Sequence, residues 1–200
     1  VSKYIMNGIR HLGPESVHAT AKEVLDNPHS DLVGFGLAGD ELHFPPKLFT
    51  KTFDMLKEAK FPITVHAGEW DGPEKIREAI SLLHPTRLGH GVRSIEDPSL
   101  VELIKDLDIV LETCPTSNIA TKIYENYEEH PVKKLFDQNV KITVNSDDPP
   151  FFNSSIAGEY EVMAGLGLSS NELISLTRNA IQSAFCNQAT KEELLKKILN

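Results

Sequence analysis

The sequence predicts an α/β fold built on a parallel sheet. Short apolar, strand-like runs alternate with amphipathic, helix-like segments along the 200 residues, the pattern of a sheet covered by helices. The runs are continuous rather than alternating, as in strands buried on both faces. Two architectures satisfy this, an open doubly wound sheet and a (β/α) barrel. Reactive polar residues follow at least three successive runs. That favours the barrel, where strand ends converge on one mouth. No glycine-rich phosphate loop follows a strand, which weakens the nucleotide-binding alternative.

Each element has its own signal. Tyr4-Ile5-Met6 reads as a strand with a polar tail through Arg10 and His11. Pro14 opens a helix with Val17, Ala21, Val24 and Leu25 on one face, and Asn27-Pro28 stops it. A strand from Leu32 to Leu37 runs into the loop Ala38-Gly39-Asp40-Glu41. Pro45 to Ala59 reads as one helix, buried through Leu48, Phe49, Phe53, Leu56 and Ala59. The strand Ile63-Thr64-Val65 ends in His66, and Gly72-Pro73 starts a helix whose Ile76, Ala79, Ile80 and Leu83 share a face. Arg87-Leu88 is a short strand ending in His90. Asp97-Pro98 caps a helix with Leu100, Leu103, Ile104 and Leu107 inward. Ile109-Val110-Leu111 is a strand, Val132, Leu135 and Phe136 mark a short helix, and Lys141 to Val144 is the last strand. Two helices close the chain, with Ser169-x-x-Glu172 and Thr190-x-x-Glu193 as capping boxes. The count is six strand–helix units without a sequence repeat.

Composition narrows the function. Hydrophobic residues make up 40% of the chain, so a packed core is expected. The formal charge of -9, with no Lys/Arg run, argues against nucleic acid or an anionic membrane as a partner. Two cysteines, Cys114 and Cys186, are no disulfide framework, and a reducing cytoplasm is the expected compartment. No apolar run is long enough to cross a bilayer, and no signal-peptide pattern is seen.

The chemistry gathers at three strand ends. His66 and Glu69 flank Ala67-Gly68, small residues that leave space over the backbone. His90 has glycine on both sides. Asp147-Asp148-Pro149 puts adjacent like charges at a strand end, unfavourable unless a cation or proton holds them. A lone histidine in such a place is usually a surface or satisfied core residue; the three contexts together argue for a site. Zinc accepts nitrogen and oxygen ligands, and His66 with one aspartate would suit it. Glu69 can give a proton to a substrate, and His90 can orient or deprotonate a water. Only two plausible ligands are visible, where a catalytic zinc normally takes three. His11 and His43 lie near enough to reach the mouth. His18, His29, His84 and His130 read as solvated surface, and Cys114 as a small packed residue.

Five stretches, in order, carry a resemblance: Leu37-Ala38-Gly39-Asp40-Glu41, Thr64-Val65-His66-Ala67-Gly68-Glu69, Arg87-Leu88-Gly89-His90-Gly91, Cys114-Pro115-Thr116-Ser117-Asn118 and Asn145-Ser146-Asp147-Asp148-Pro149. The whole chain resembles the adenosine deaminase family of metal-dependent amidohydrolases. The resemblance implies a (β/α)8 barrel and one Zn2+ that activates water against carbon 6 of a purine, with release of ammonia. It implies His66 and Asp147 as zinc ligands and Glu69 as proton donor to the ring. It makes His90 the residue that orients the attacking hydroxide. Gly39 is implied to offer backbone to the base, and Asp148 to bond the ring on its imidazole side. The implied substrate is a purine nucleoside in purine salvage. Gly89, and Thr116 in the fourth stretch, point to adenosine rather than adenine; adenine, or another substrate of a metal-dependent hydrolase on this barrel, is the alternative. A reading from another class is a non-catalytic remnant that keeps the fold.

One departure from the family pattern is large. The family's first strand carries a His-x-His pair that supplies two more zinc ligands, and none occurs in this sequence. A barrel of this type takes about 250 residues. Residues 1–200 are therefore expected to be the C-terminal part of a single barrel domain, beginning at Val1 within the third strand, with the two missing ligands upstream. This chain alone is expected not to form a competent zinc site, and a separate N-terminal segment bearing the His-x-His strand is the expected partner.

Overall fold

The computed structural model describes residues 2–198, so Val1, and with it the reading that the chain begins within a strand, lies outside the described residues. The chain forms two compact units, Val1–Glu96 and Asp97–Asn200.

The first unit is a run of β–α repeats. Strand β1 (Tyr4–Ile9) leads through a 3-10 turn (Arg10–Leu12) into helix α1 (Pro14–Asp26), and β2 (Leu32–Ala38) follows. Helix α2 (Thr50–Glu58), β3 (Ile63–Ala67), α3 (Pro73–Leu83) and β4 (Arg87–His90) complete it. Each strand pairs parallel with the next, and the β3–β4 register sets His66 against Gly89 and Ala67 against His90. Proline at the start of α1 and α3 supplies the helical φ where no N–H is needed. The core is apolar, with Val17, Ala21, Phe35, Leu37, Phe53, Leu56, Ile76, Leu83 and Leu88 all buried. Phe35 and Phe53 meet edge to face, with ring centroids 6.2 Å apart.

The second unit holds α4 (Pro98–Asp106), β5 (Val110–Thr113), α5 (Pro115–Ala120), α6 (Val132–Asp137) and β6 (Ile142–Val144). It closes with α7 (Pro149–Phe152), α8 (Ile156–Gly165), α9 (Ser170–Ser183) and α10 (Gln188–Ile198). Strands β5 and β6 pair parallel, Leu111 against Ile142 and Thr113 against Val144. Leu100, Ile104, Leu111, Val132, Leu135, Ile142, Met163 and Leu176 are among its buried apolar residues. Asp97 caps α4 by accepting from the N–H groups of Ser99 (2.9 Å) and Leu100 (3.2 Å).

The elements differ from the sequence reading in several places. The expected helix 45–59 is a 3-10 turn (Pro46–Phe49) followed by α2. The tighter turn rotates the face, so Phe49 is buried while Leu48 and Ala59 are exposed. In α4 the chain turns away at Leu107, which is exposed, and Val101 takes its place inside. Helices α5, α7 and α8 are not expected from the sequence; Pro115 starts α5 directly after the strand. Ser169 and Glu172 form the expected reciprocal capping box on α9. Thr190 does not cap: it lies inside α10, and its N–H is met by the Asn187 side chain at 2.9 Å.

Candidate active site

The first unit brings three of the expected residues together. His66 is the fourth residue of β3, and His90 the last of β4. Adjacent parallel strands in register carry both imidazoles to the same sheet end, with ring centroids 5.0 Å apart at 75°. Glu69 lies on the loop after β3, its Oε2 3.3 Å from His90 Nε2. One ligand atom from each of His66, Glu69 and His90 falls within 4.8 Å of the others. Two imidazole nitrogens and a carboxylate oxygen are a donor set that zinc accepts.

Local backbone explains why these side chains meet. Position 89 must be glycine as the strands stand: a Cβ there would lie 2.5 Å from His66 Cδ2. His90 itself has φ +59°, the left-handed region that residues other than glycine rarely adopt. Such strain clusters at functional sites. The carbonyl of His66 accepts from Arg10 Nη2, and Arg10 Nη1 donates to the carbonyl of Phe44 at 2.8 Å. Arg10 is thus buried, not the polar tail expected, and burial lowers its pKa despite the carboxylates nearby.

A hollow of about 290 Å³ opens here, lined by Gly39, Asp40, Glu41, Leu42, His66, Glu69 and Trp70. Gly39, expected to face a base, has φ +100°, and a Cβ on it would come 3.0 Å from His11 Nδ1. His11 therefore does reach this rim. His43 stays out and pairs with Asp40 at 2.8 Å.

The second unit holds the aspartate pair. Asp147, just past β6, also has a left-handed backbone, φ +53°, and accepts from Ser117 Oγ at 2.7 Å. Asp148 is the N-cap residue of α7 and is exposed. Nearby, Glu159 is buried; its Oε2 accepts from the Thr116 N–H at 3.3 Å. Burial raises its pKa, the Thr116 bonds oppose this, and the charge of Asp147 adds to the rise.

Several of these residues were not singled out in the sequence. Glu41 and Ser117 were part of quoted stretches but had no role assigned; each follows a strand within a polar run, which was the available signal. His130, expected on the solvated surface, is instead buried. It is 2% exposed, its Nε2 lies 3.1 Å from Asn118 Oδ1, and its Nδ1 accepts from the Val132 N–H. Burial pushes its pKa down to about 4. Cys114 is buried, as expected for a packed residue.

Among the described residues no helix is long and apolar enough to cross a membrane. The adenosine deaminase family model matches residues 1–200. An adenine deaminase of Sinorhizobium medicae is 44% identical over 195 residues, 97% of this chain and 60% of that protein. The crystal structure of adenine deaminase from Arthrobacter aurescens superposes with a TM-score of 0.92 at 29% identity, covering 98% of this chain and 60% of that one. An amidohydrolase from Burkholderia ambifaria, solved with bound Zn, gives a TM-score of 0.88 at 24% identity, over 98% of this chain and 58% of that one; at that identity it speaks for the fold alone. The chain spans about 60% of the length of the relatives it matches. The fold is that of the (β/α)8 amidohydrolase barrel, with six of its strand–helix units present. With the family model matched from the first residue to the last, the chain belongs to the adenosine deaminase family.

Proposed function

We propose that the full-length protein hydrolyses the exocyclic amine of a 6-aminopurine. Water adds at carbon 6, the C–N bond breaks, and a 6-oxopurine and ammonia are released. The observation that carries this reading is the meeting of His66, Glu69 and His90 at the ends of β3 and β4, beside a hollow of about 290 Å³. The family, and relatives named adenine deaminase, support it.

A histidine nitrogen and an aspartate oxygen are donors of the kind that a divalent metal such as zinc accepts. His66 is the proposed ligand in the first unit, and Asp147 is proposed as a ligand on the family resemblance. When bound, zinc would lower the pKa of a water toward neutrality and supply the nucleophile. The side chains do the rest. Glu69 gives a proton to the ring nitrogen next to the reacting carbon, so that the ring accepts electrons as water adds. His90, 3.3 Å from Glu69 and buried, orients that water, takes up its proton and gives it to the departing amine, and the new hydroxyl's proton restores Glu69. Gly39 offers its backbone, and Asp148 a carboxylate, to the base.

Adenine is put ahead of adenosine because two of the three relatives described above are named adenine deaminase. The two residues that pointed to adenosine have local tasks of their own. Gly89 makes room for the His66 ring. Thr116 lies within 3.3 Å of the Tyr127 hydroxyl and donates its N–H to Glu159. Neither needs a ribose to explain it. The test is ammonia release by the purified full-length protein from adenine, adenosine and AMP. The proposal expects adenine to give the highest kcat/KM; a protein that releases ammonia from none of the three would refute it.

A further inference from the structure

Glu41 is a buried carboxylate in the first unit that the reaction does not use. It is 4% exposed, and its Oε2 accepts from three backbone N–H groups of one loop: Gly68 at 3.1 Å, Trp70 at 3.3 Å and Asp71 at 3.3 Å. Skipping only residue 69, these N–H groups converge on one oxygen because Gly68 turns the chain with φ +82°. Converging backbone N–H groups form a concave anion site, and here the anion belongs to the protein. The residue skipped is Glu69, whose side chain points instead to His90.

The same loop is held at its carbonyls. Arg93 donates its backbone N–H to the Gly68 carbonyl at 3.1 Å and its Nη1 to the Trp70 carbonyl at 2.8 Å. Burying a carboxylate is costly unless it is bonded and answered by charge. The charge is Arg10, for which Glu41 is the foremost of the carboxylates that offset its burial. Arg10 in turn holds the His66 carbonyl. Glu41 and Arg10 thus grip the two ends of the segment from His66 to Asp71.

We propose that Glu41 is a positioning residue for the proton donor: its carboxylate fixes the loop Gly68–Asp71 so that Glu69 is aimed at His90 and the hollow. This rests on the reading of Glu69 as the acid. A misplacement of a reacting group by about 1 Å can cost about 100-fold in rate, so a loosened loop should be felt in turnover before it is felt in binding.

Two variants of the full-length protein separate charge from reach. Glu41→Gln keeps the length and loses the charge, and Glu41→Asp keeps the charge and is one methylene short. Residue-resolved amide exchange is measured on metal-free and metal-loaded protein, with kcat expressed per bound metal. Both variants are expected to speed exchange at Gly68, Trp70 and Asp71 at least about ten-fold while amides inside α1 are unchanged. The kcat for adenine should fall about 10–100-fold with KM nearly unchanged. Exchange at those three amides that stays at the wild-type rate, or loosened amides with wild-type kcat, would overturn the proposal. A wild-type protein inactive on every purine would overturn the function proposed above, and the exchange rates would still decide whether Glu41 holds the loop.

Discussion

His66 and Gly89 face each other across the β3–β4 pair, and the ring of His66 fills the space that any side chain at position 89 would need. A methyl carbon there would stand 2.5 Å from Cδ2 and 3.0 Å from Nε2 of the ring. Gly89→Ala should therefore push His66 out of place. We expect an overpacking cost of about 1–3 kcal/mol in stability. Metal affinity should drop about 10–100-fold, the effect typical of disturbing a ligand's support. Thermal unfolding and a zinc titration of the full-length variant check both. An alanine variant that binds metal as the wild type does would show that His66 is not a ligand.

Ser117 tests the aspartate in the second unit. It is buried, and its hydroxyl donates to Asp147 at 2.7 Å. Losing that bond removes one restraint on the carboxylate. Ser117→Ala should lower metal affinity about ten-fold and leave the fold intact, read by zinc titration beside circular dichroism.

His130 gives the stability a pH dependence. Burial disfavours the charged form and pushes its pKa from the ordinary 6.5 of an imidazole down to about 4. A folded value below the unfolded one means that stability is lost as pH falls from about 6.5 toward about 4, as the unfolded chain takes up the proton first. The loss is on the order of 3 kcal/mol. His130→Asn should flatten urea-unfolding stability across that window. A wild-type curve already flat between those pH values would contradict the assignment.

Much of this was legible in the residues. The strands were legible as short apolar runs; β2 to β6 are largely buried, and a strand buried on both faces has a composition that a surface helix does not, while the apolar run of β1 is mostly exposed. His66, Glu69 and His90 could be grouped because each closes or follows such a run. What escaped depends on side-chain direction. Nothing in the period of the sequence says that Arg10 folds inward onto the His66 carbonyl, or that His130 is buried against Asn118. Those contacts join residues 56 and 12 positions apart, and only the fold brings them together. Over 45–59 the reason is local: Pro45 and Pro46 lead into a 3-10 turn, and Leu48 is rotated out of the apolar face.

The central claim is that Glu69 passes the proton while other residues hold the metal. It is tested most directly by Glu69→Gln in the full-length protein, with bound zinc and the rate of ammonia release from adenine measured on the same sample. The glutamine keeps the shape and cannot donate an acid proton. The account predicts zinc content equal to wild type and kcat lower by about 10²–10⁴-fold. Near wild-type turnover at full zinc content would contradict it.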